Sequence, residues 1–200
     1  MNLSEITVAR VPVPVTFTSQ LLADITMCSL SEQERLLPFG IRGFRECDVQ
    51  FLLWRELVLR GYEAEMEVME ASKIDIVIGD KTNRVAVIEL KGPTLARDFR
   101  AGTYYPSSAR ADFEKMVRRI SAGLPGQCYC LWIFTGLEEK EVEGAFEKFL
   151  NCAQTAASDC LVEPAKSRLL DLPKHGDERW QKCGVYAVRV YKNSTGAAVT

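Results

Sequence analysis

The chain has 200 residues, of which 47% are apolar and 26% are charged, and its formal net charge is −2 at pH 7. These values suit one soluble globular domain and exclude an overall electrostatic attraction to polyanions, so a nucleic-acid site would need a local basic patch. The longest wholly apolar run, residues 128–134, is too short to span a bilayer, and we expect no membrane association.

Residues 1–19 contain charged side chains and no unbroken apolar core, which is not the pattern of a signal peptide. The seven cysteines have no repeated spacing, so we interpret them as reduced thiols of an intracellular protein. Zinc is the minor alternative. Cys128 and Cys130 lie closer together than the usual C-x₂₋₄-C ligand pair, and the lone His175 completes no ligand set.

Residues 1–44 predict an extended N-terminal arm followed by one or two short helices, with Ser29 and Ser31 as candidate caps. Apolar residues recur at helical spacing over residues 45–60 and Gly61 follows them, which predicts a largely buried helix. Residues 62–69 alternate strictly, with glutamates on one face, and therefore predict a strand with one solvated side.

A β-hairpin is predicted next. Two apolar runs, residues 74–78 and 85–90, flank a polar segment, and Gly92 and Pro93 are expected to end the second strand. The hairpin is the central element of the sequence because charged residues interrupt both of its apolar runs.

The charged residues of the hairpin are Asp75 in the first run and Glu89 and Lys91 in the second. If Gly79 pairs with Val85 across a five-residue loop, the antiparallel register places Asp75 opposite Glu89, on the face that Lys91 shares. Like charges in such positions are destabilising. A divalent cation such as Mg²⁺ would explain the pair, because hard cations bind oxygen ligands.

The rest of the chain predicts a loop over residues 94–108, irregular structure with one short helix over 154–182, and a final strand over 185–192. Between these segments we expect an amphipathic helix, a strand that is apolar on both faces and a second helix, over residues 109–121, 127–135 and 137–153.

Helix, three strands, helix and strand thus follow one another. Asp75, thirteen intervening residues and then Glu89-Leu90-Lys91 stand in the apolar setting IDIVIGD and VAVIELK. In this order and setting the chain resembles the PD-(D/E)XK nuclease superfamily over residues 45–135, with Ile74 in place of the proline. The resemblance implies an α/β restriction-endonuclease-like fold, with an αβββαβ core and a mixed central sheet flanked by helices. We expect a single domain, in which residues 1–44 precede the core and residues 136–200 add a helix and a strand.

This resemblance implies a metal-dependent nuclease that hydrolyses phosphodiester bonds, with DNA as the expected nucleic acid. Asp75 and Glu89 would bind Mg²⁺, or Mn²⁺ in its place, together with the main-chain carbonyl of Leu90. Lys91 would orient or help deprotonate the attacking water and would offset charge on the phosphorus.

The first helix of such nucleases often supplies a further acid. Glu46 is the first choice and Glu56 the alternative, although Glu46 is equally explained as a favourable acid at a helix N-terminus. Tyr104 would stack on bases, unless it is a packing group. The phosphate backbone would be contacted by basic residues of the second helix, unless they form an ordinary solvated face: Lys115, Arg118 and Arg119.

Three other interpretations stay open. The charged trio could be a structural ion cluster. The protein could be a non-catalytic module that binds nucleic acid or protein, which the acidic pI near 5.6 favours. It could also be a small-molecule enzyme unrelated to nucleic acid. Homodimerisation is left open as well.

Overall fold

The computed structural model describes residues 17–36, 41, 44–69, 73–80, 83–172 and 181–192. The helices of these residues are α1 (Ser19–Leu36), α2 (Glu46–Leu59), α3 (Ala96–Ala101), α4 (Tyr104–Ser121) and α5 (Glu139–Ala156). The strands are β1 (Ala64–Met69), β2 (Lys73–Gly79), β3 (Arg84–Leu95), β4 (Gln127–Gly136), β5 (Cys160–Lys166), β6 (Leu170–Asp171) and β7 (Lys182–Lys192).

The strands form one open, mixed, seven-stranded sheet in the order β1-β2-β3-β4-β7-β5, with β6 paired to β7. β1, β2 and β3 form an antiparallel meander, β4 lies parallel to β3, and β7 is antiparallel to both β4 and β5. The helices flank this sheet, so the protein has an α/β fold, as the sequence predicts.

Two apolar clusters cover the two faces of the sheet. One contains residues of α1 and α2, and the other contains residues of α3, α4 and α5. Strand alternation distributes β3 between them, because Ile88 and Leu90 belong to the first cluster whereas Val87 belongs to the second. The face covered by α3, α4 and α5 is therefore the one that Glu89 shares with Val87.

The predicted loop over residues 94–108 is wrong. β3 continues past Gly92 to Leu95, because a register shift against β4 between Lys91 and Thr94 accommodates the extra residues. Two helices then fill the remainder of the segment. Pro106 lies in the first turn of α4, where a missing N–H group leaves no intrahelical bond unmade, so it does not delay the helix.

Two other predicted segments also need correction. Residues 154–182 contain β5 and β6, and Pro164 is tolerated in β5 because β5 lies at the edge of the sheet. In place of short helices, α1 is one helix that contains both Ser29 and Ser31, and the Thr18 hydroxyl accepts a bond from the Leu21 N–H at its start. Residues 1–16 of the predicted arm lie outside the described residues.

All seven cysteines are free thiols, and Cys128, Cys130 and Cys183 are buried. Within the described ranges, no helix combines the length and the hydrophobicity that a membrane crossing requires.

Gly92 of β3 lies so close to β4 that a larger residue at this position would test how tightly the two strands are packed. Its φ is +115°, and a Cβ added there would lie 2.7 Å from the carbonyl oxygen of Ile133. Gly123 has φ +67°, but a Cβ there would meet nothing within 4 Å. We predict that Gly92→Ala lowers the free energy of unfolding by about 3 kcal/mol, from strain and overlap together.

The matched control, Gly123→Ala, carries backbone strain alone and should cost about 1 kcal/mol. Urea denaturation of both variants measures the two losses. Equal losses would show that the close approach of Gly92 to β4 does not constrain the fold.

Candidate functional site

The register between β2 and β3 brings two carboxylates together. Val77 pairs with Val87 and Ile76 with Ile88, so one further residue along the same register places Asp75 level with Glu89. Val77 and Val87 both belong to the cluster under α3, α4 and α5. Asp75 and Glu89 share that face because each lies two residues from one of these valines.

The turn that joins these strands differs from the predicted one. Gly79 pairs with Arg84 and not with Val85, because the register shifts between Ile78 and Gly79. Gly79 has φ +91°, a conformation that glycine adopts readily. Because the shift lies at the turn, it does not change the register farther along the strands, and Asp75 still lies opposite Glu89.

Asp75 is held from two sides. Its Oδ2 accepts a hydrogen bond of 2.8 Å from the Leu90 N–H, and its main-chain carbonyl accepts one of 2.7 Å from Nε2 of Gln50. Gln50 lies on α2 and is 6% exposed. A buried amide from the opposite helical layer therefore fixes β2 at the position of Asp75.

Glu89 is buried, with 4% of its surface exposed, and Lys115 of α4 is its partner. Lys115 Nζ lies 2.6 Å from Oε1 of Glu89 and also donates to the main-chain carbonyl of Lys73. Burial first, and the Asp75 carboxylate second, raise the pKa of Glu89 to about 7, while Lys115 opposes the rise. Glu89 is therefore poised between its protonated and charged forms near neutral pH.

Lys91 lies two residues beyond Glu89 and makes an ion pair with α2. Its Nζ is 3.1 Å from Oε1 of Glu46, the first residue of that helix. Burial acts to lower the pKa of Lys91, but Asp112, Glu46 and Asp75 outweigh it, and the net pKa is raised. Lys91 is consequently a cation at neutral pH.

Asp112 of α4 is a member of this site that the sequence patterns did not single out. Burial, followed by the charges of Asp75 and Glu46, raises its pKa to about 6, against the opposing effect of Lys91 and Lys115. A signal was present, since Asp112 lies three residues before Lys115 on the predicted amphipathic helix and directly before the apolar Phe113. The ionic cluster thus consists of four acids and two lysines: Asp75, Glu89, Asp112, Glu46, Lys91 and Lys115.

Of the three basic residues of α4 that were expected to contact a phosphate backbone, the structure exposes one. Arg118 is exposed, but the Lys115 side chain is 15% exposed and Arg119 is 4% exposed. Arg119 contacts the buried Cys128 thiol. Lys115 and Arg119 are four residues apart, so the helical period places both on the inward face.

A cleft opens next to the ionic cluster. Lys91 and Glu46 form part of its wall, Tyr104 stands in it with 76% of its surface exposed, and its volume is about 430 Å³. The other lining residues are Gly92, Pro93, Thr94, Tyr105, Ser108 and Trp132.

The donor set suits Mg²⁺ chemically. Among the described residues, no three His, Cys, Asp or Glu side chains are grouped so as to hold a metal ion. Mg²⁺, however, is commonly bound through one or two carboxylates together with waters and substrate phosphates. Asp75 and Glu89 supply two such carboxylates, and the Leu90 carbonyl should face them because its N–H does.

Comparison of the chain with known protein families, with curated proteins and with solved structures found no match. The fold and the site by themselves define an α/β protein that has a half-buried ionic cluster on its sheet and an aromatic cleft beside that cluster.

The raised pKa values give a testable dependence of stability on pH. Glu89 and Asp112 have folded-state pKa values of about 7 and about 6, above the ordinary values of 4.5 and 3.8. In this range the folded protein holds protons that the unfolded chain has released, so these two groups lower stability as pH rises from about 4 to about 7.

Glu89→Gln should flatten this fall by up to about 1.4 kcal/mol per pH unit, the value for one proton. Urea denaturation in EDTA across this range measures the effect. Glu65→Gln, which removes an exposed carboxylate from β1, is the control and should leave the slope unchanged. If the Glu89→Gln and wild-type curves run parallel, Glu89 does not titrate in this range.

Proposed function

We propose that this protein is a metal-dependent nuclease of the PD-(D/E)XK superfamily, which hydrolyses phosphodiester bonds with DNA as the expected substrate. The facing of Asp75 and Glu89 on neighbouring strands, with Lys91 beside them on the same strand as Glu89, carries the proposal. This is the arrangement that the D-x₁₃-E-x-K spacing implies for such nucleases.

The topology supports the same proposal. The elements α2, β1, β2, β3, α4 and β4 follow the order of the αβββαβ core, with α3 as an addition before the second core helix. Antiparallel pairing of β1, β2 and β3 and parallel pairing of β3 with β4 give a mixed sheet. Glu46 begins the first core helix and reaches the site through Lys91, as expected of a further acid from that helix.

Bound Mg²⁺ would supply Lewis-acid chemistry, by polarising a phosphoryl oxygen and lowering the pKa of a water ligand. Asp75, Glu89 and the Leu90 carbonyl are the groups that would hold it. The Leu90 N–H orients the Asp75 carboxylate, and Lys115 orients that of Glu89. Because these two contacts fix the carboxylates in advance, little reorganisation is needed at the moment of reaction.

The surroundings of Lys91 support its expected part in offsetting negative charge on the phosphorus. Its raised pKa and its contact with Glu46 keep the side chain charged, which suits stabilisation of negative charge on the phosphate better than proton abstraction. Lys91 would therefore bind a phosphate oxygen or orient the water, while Glu46 holds its ammonium group in place.

Substitutions of the three motif residues test the nuclease proposal. Asp75→Asn, Glu89→Gln and Lys91→Met should each lower the cleavage rate at least about 100-fold, because each removes a charge that the transition state needs. The first two are isosteric. The amide oxygen that Asp75→Asn introduces should still accept the Leu90 N–H bond, so the fold should persist.

Cleavage of labelled single- and double-stranded DNA and RNA, with millimolar Mg²⁺ or Mn²⁺ and with EDTA, measures the effect, and circular dichroism checks the fold. Glu65→Gln is again the control and should cleave at the wild-type rate. If the wild-type protein leaves every one of these substrates intact in both metals, the nuclease proposal is wrong.

A non-catalytic binding module is the second candidate, and one observation favours it. Both lysines of the ionic cluster are already paired with acids, Lys115 with Glu89 at 2.6 Å and Lys91 with Glu46 at 3.1 Å. Such a network satisfies much of its own charge without a metal ion.

Thermal unfolding with and without Mg²⁺ separates the two candidates. A ligand that binds only the folded state stabilises it by about 2.7 kcal/mol when present at 100 times its Kd. The nuclease proposal predicts a higher melting temperature in millimolar Mg²⁺ for the wild type and no rise for Asp75→Asn. A wild-type melting temperature that does not respond to Mg²⁺ or Mn²⁺ would favour the binding module.

A further inference from the structure

The cleft beside Lys91 has the size of a ligand site. Its volume of about 430 Å³ falls within the roughly 300–1,000 Å³ of typical small-ligand pockets. Its wall is held in place on one side, where Nε1 of the buried Trp132 donates to Oγ1 of Thr94 at 3.1 Å. Lys91 connects the cleft to the ionic cluster, so a ligand in the cleft would lie next to the proposed reaction centre.

Tyr104 is the feature of the cleft that the fold itself does not explain. It is 76% exposed, whereas Tyr62, Tyr129 and Tyr186 are at most 7% exposed. The ring of Tyr105 meets that of Tyr104 edge-on, with centroids 5.3 Å apart, and so helps to set its orientation. An exposed, oriented ring beside a lysine suits a flat, aromatic ligand that carries a negative charge.

The distribution of basic residues limits the form of nucleic acid that the cleft could bind. Of the three basic residues expected on the surface of α4, only Arg118 faces outward, and the chain as a whole carries a net charge of −2. Binding of intact duplexes depends heavily on phosphate contacts from lysine and arginine. Stacking on aromatic side chains is the main alternative source of affinity, and it needs a base that is not already stacked and paired in a duplex.

We propose that this cleft receives an unpaired nucleobase, stacked on Tyr104, of a strand whose phosphodiester lies at Lys91. The substrate class is then single-stranded nucleic acid and not an intact duplex. This inference rests on the proposed nuclease function, which it makes more specific by naming the form of the substrate.

Fluorescence anisotropy in EDTA and low salt tests the inference without cleavage. The probes are a labelled single-stranded oligodeoxynucleotide, the same strand annealed to its complement, and an oligoribonucleotide of the same sequence. We expect the wild-type protein to bind at least one single strand about tenfold or more tightly than the duplex. Because DNA and RNA share the unpaired base, the difference between the two single strands reports which sugar the site accepts.

Tyr104→Ala should weaken single-strand binding by about tenfold, whereas Tyr104→Phe should keep it because the ring still stacks. Phe51→Ala is the matched control, since Phe51 is an aromatic of α2 that is 49% exposed and does not line the cleft. It should bind as the wild type does. Equal binding of duplex and single strands, or unchanged binding by Tyr104→Ala, would overturn the inference.

Cleavage assays in Mg²⁺ distinguish a failure of the single-strand inference from a failure of the nuclease proposal. A protein that cleaves duplex DNA but does not prefer single strands retains its nuclease function and loses the assignment of the cleft. A protein that binds single strands through Tyr104 but cleaves nothing retains the cleft as a binding site and loses the nuclease function.

Discussion

The burial of Glu89 level with Asp75 is the constraint on which the rest of the site depends. Two carboxylates on one face of a sheet repel each other, and burial adds the cost of removing charge from water. The fold meets this cost with groups from several elements, namely the Leu90 N–H and the Lys91 ammonium of β3 and the Lys115 ammonium of α4. Apolar residues of similar volume would often fill such positions at equal or lower cost, so the burial of these charges is weak evidence of added stability.

Side chains from both helical layers contribute to this site. Gln50 and Glu46 belong to the layer opposite the one that buries Glu89, yet they bind the Asp75 carbonyl and Lys91. Just after Lys91, at the tightly enclosed Gly92, the register of β3 against β4 shifts. The aromatic cleft lies next to this point, since Lys91, Gly92, Pro93 and Thr94 line it. The ionic cluster and the cleft therefore meet at Lys91 and Glu46.

These features together describe a site with a concentrated charge centre and few outward-facing cations on the neighbouring helix. Lys115 and Arg119 are used internally, the first by Glu89 and the second near the Cys128 thiol. Recognition of a polyanion would then depend on Lys91 and on the exposed ring of Tyr104 more than on a broad basic surface. The exposed glutamates of β1, Glu65 and Glu67, agree with this distribution.

The sequence by itself determined the hairpin, the helix at residues 46–59, the central strand β4, and the shared face of Asp75, Glu89 and Lys91. Each of these follows from periodicity, which reports the residues that lie on one side of an element. Only the tertiary structure decided what covers that side. It placed Lys115 and the charge of Asp112 near Glu89, formed α3 and the start of α4 where the sequence predicted a loop, and added β5 through its pairing with β7. The physical reason is that these choices depend on packing between residues far apart in the chain, and local patterns carry no record of such contacts.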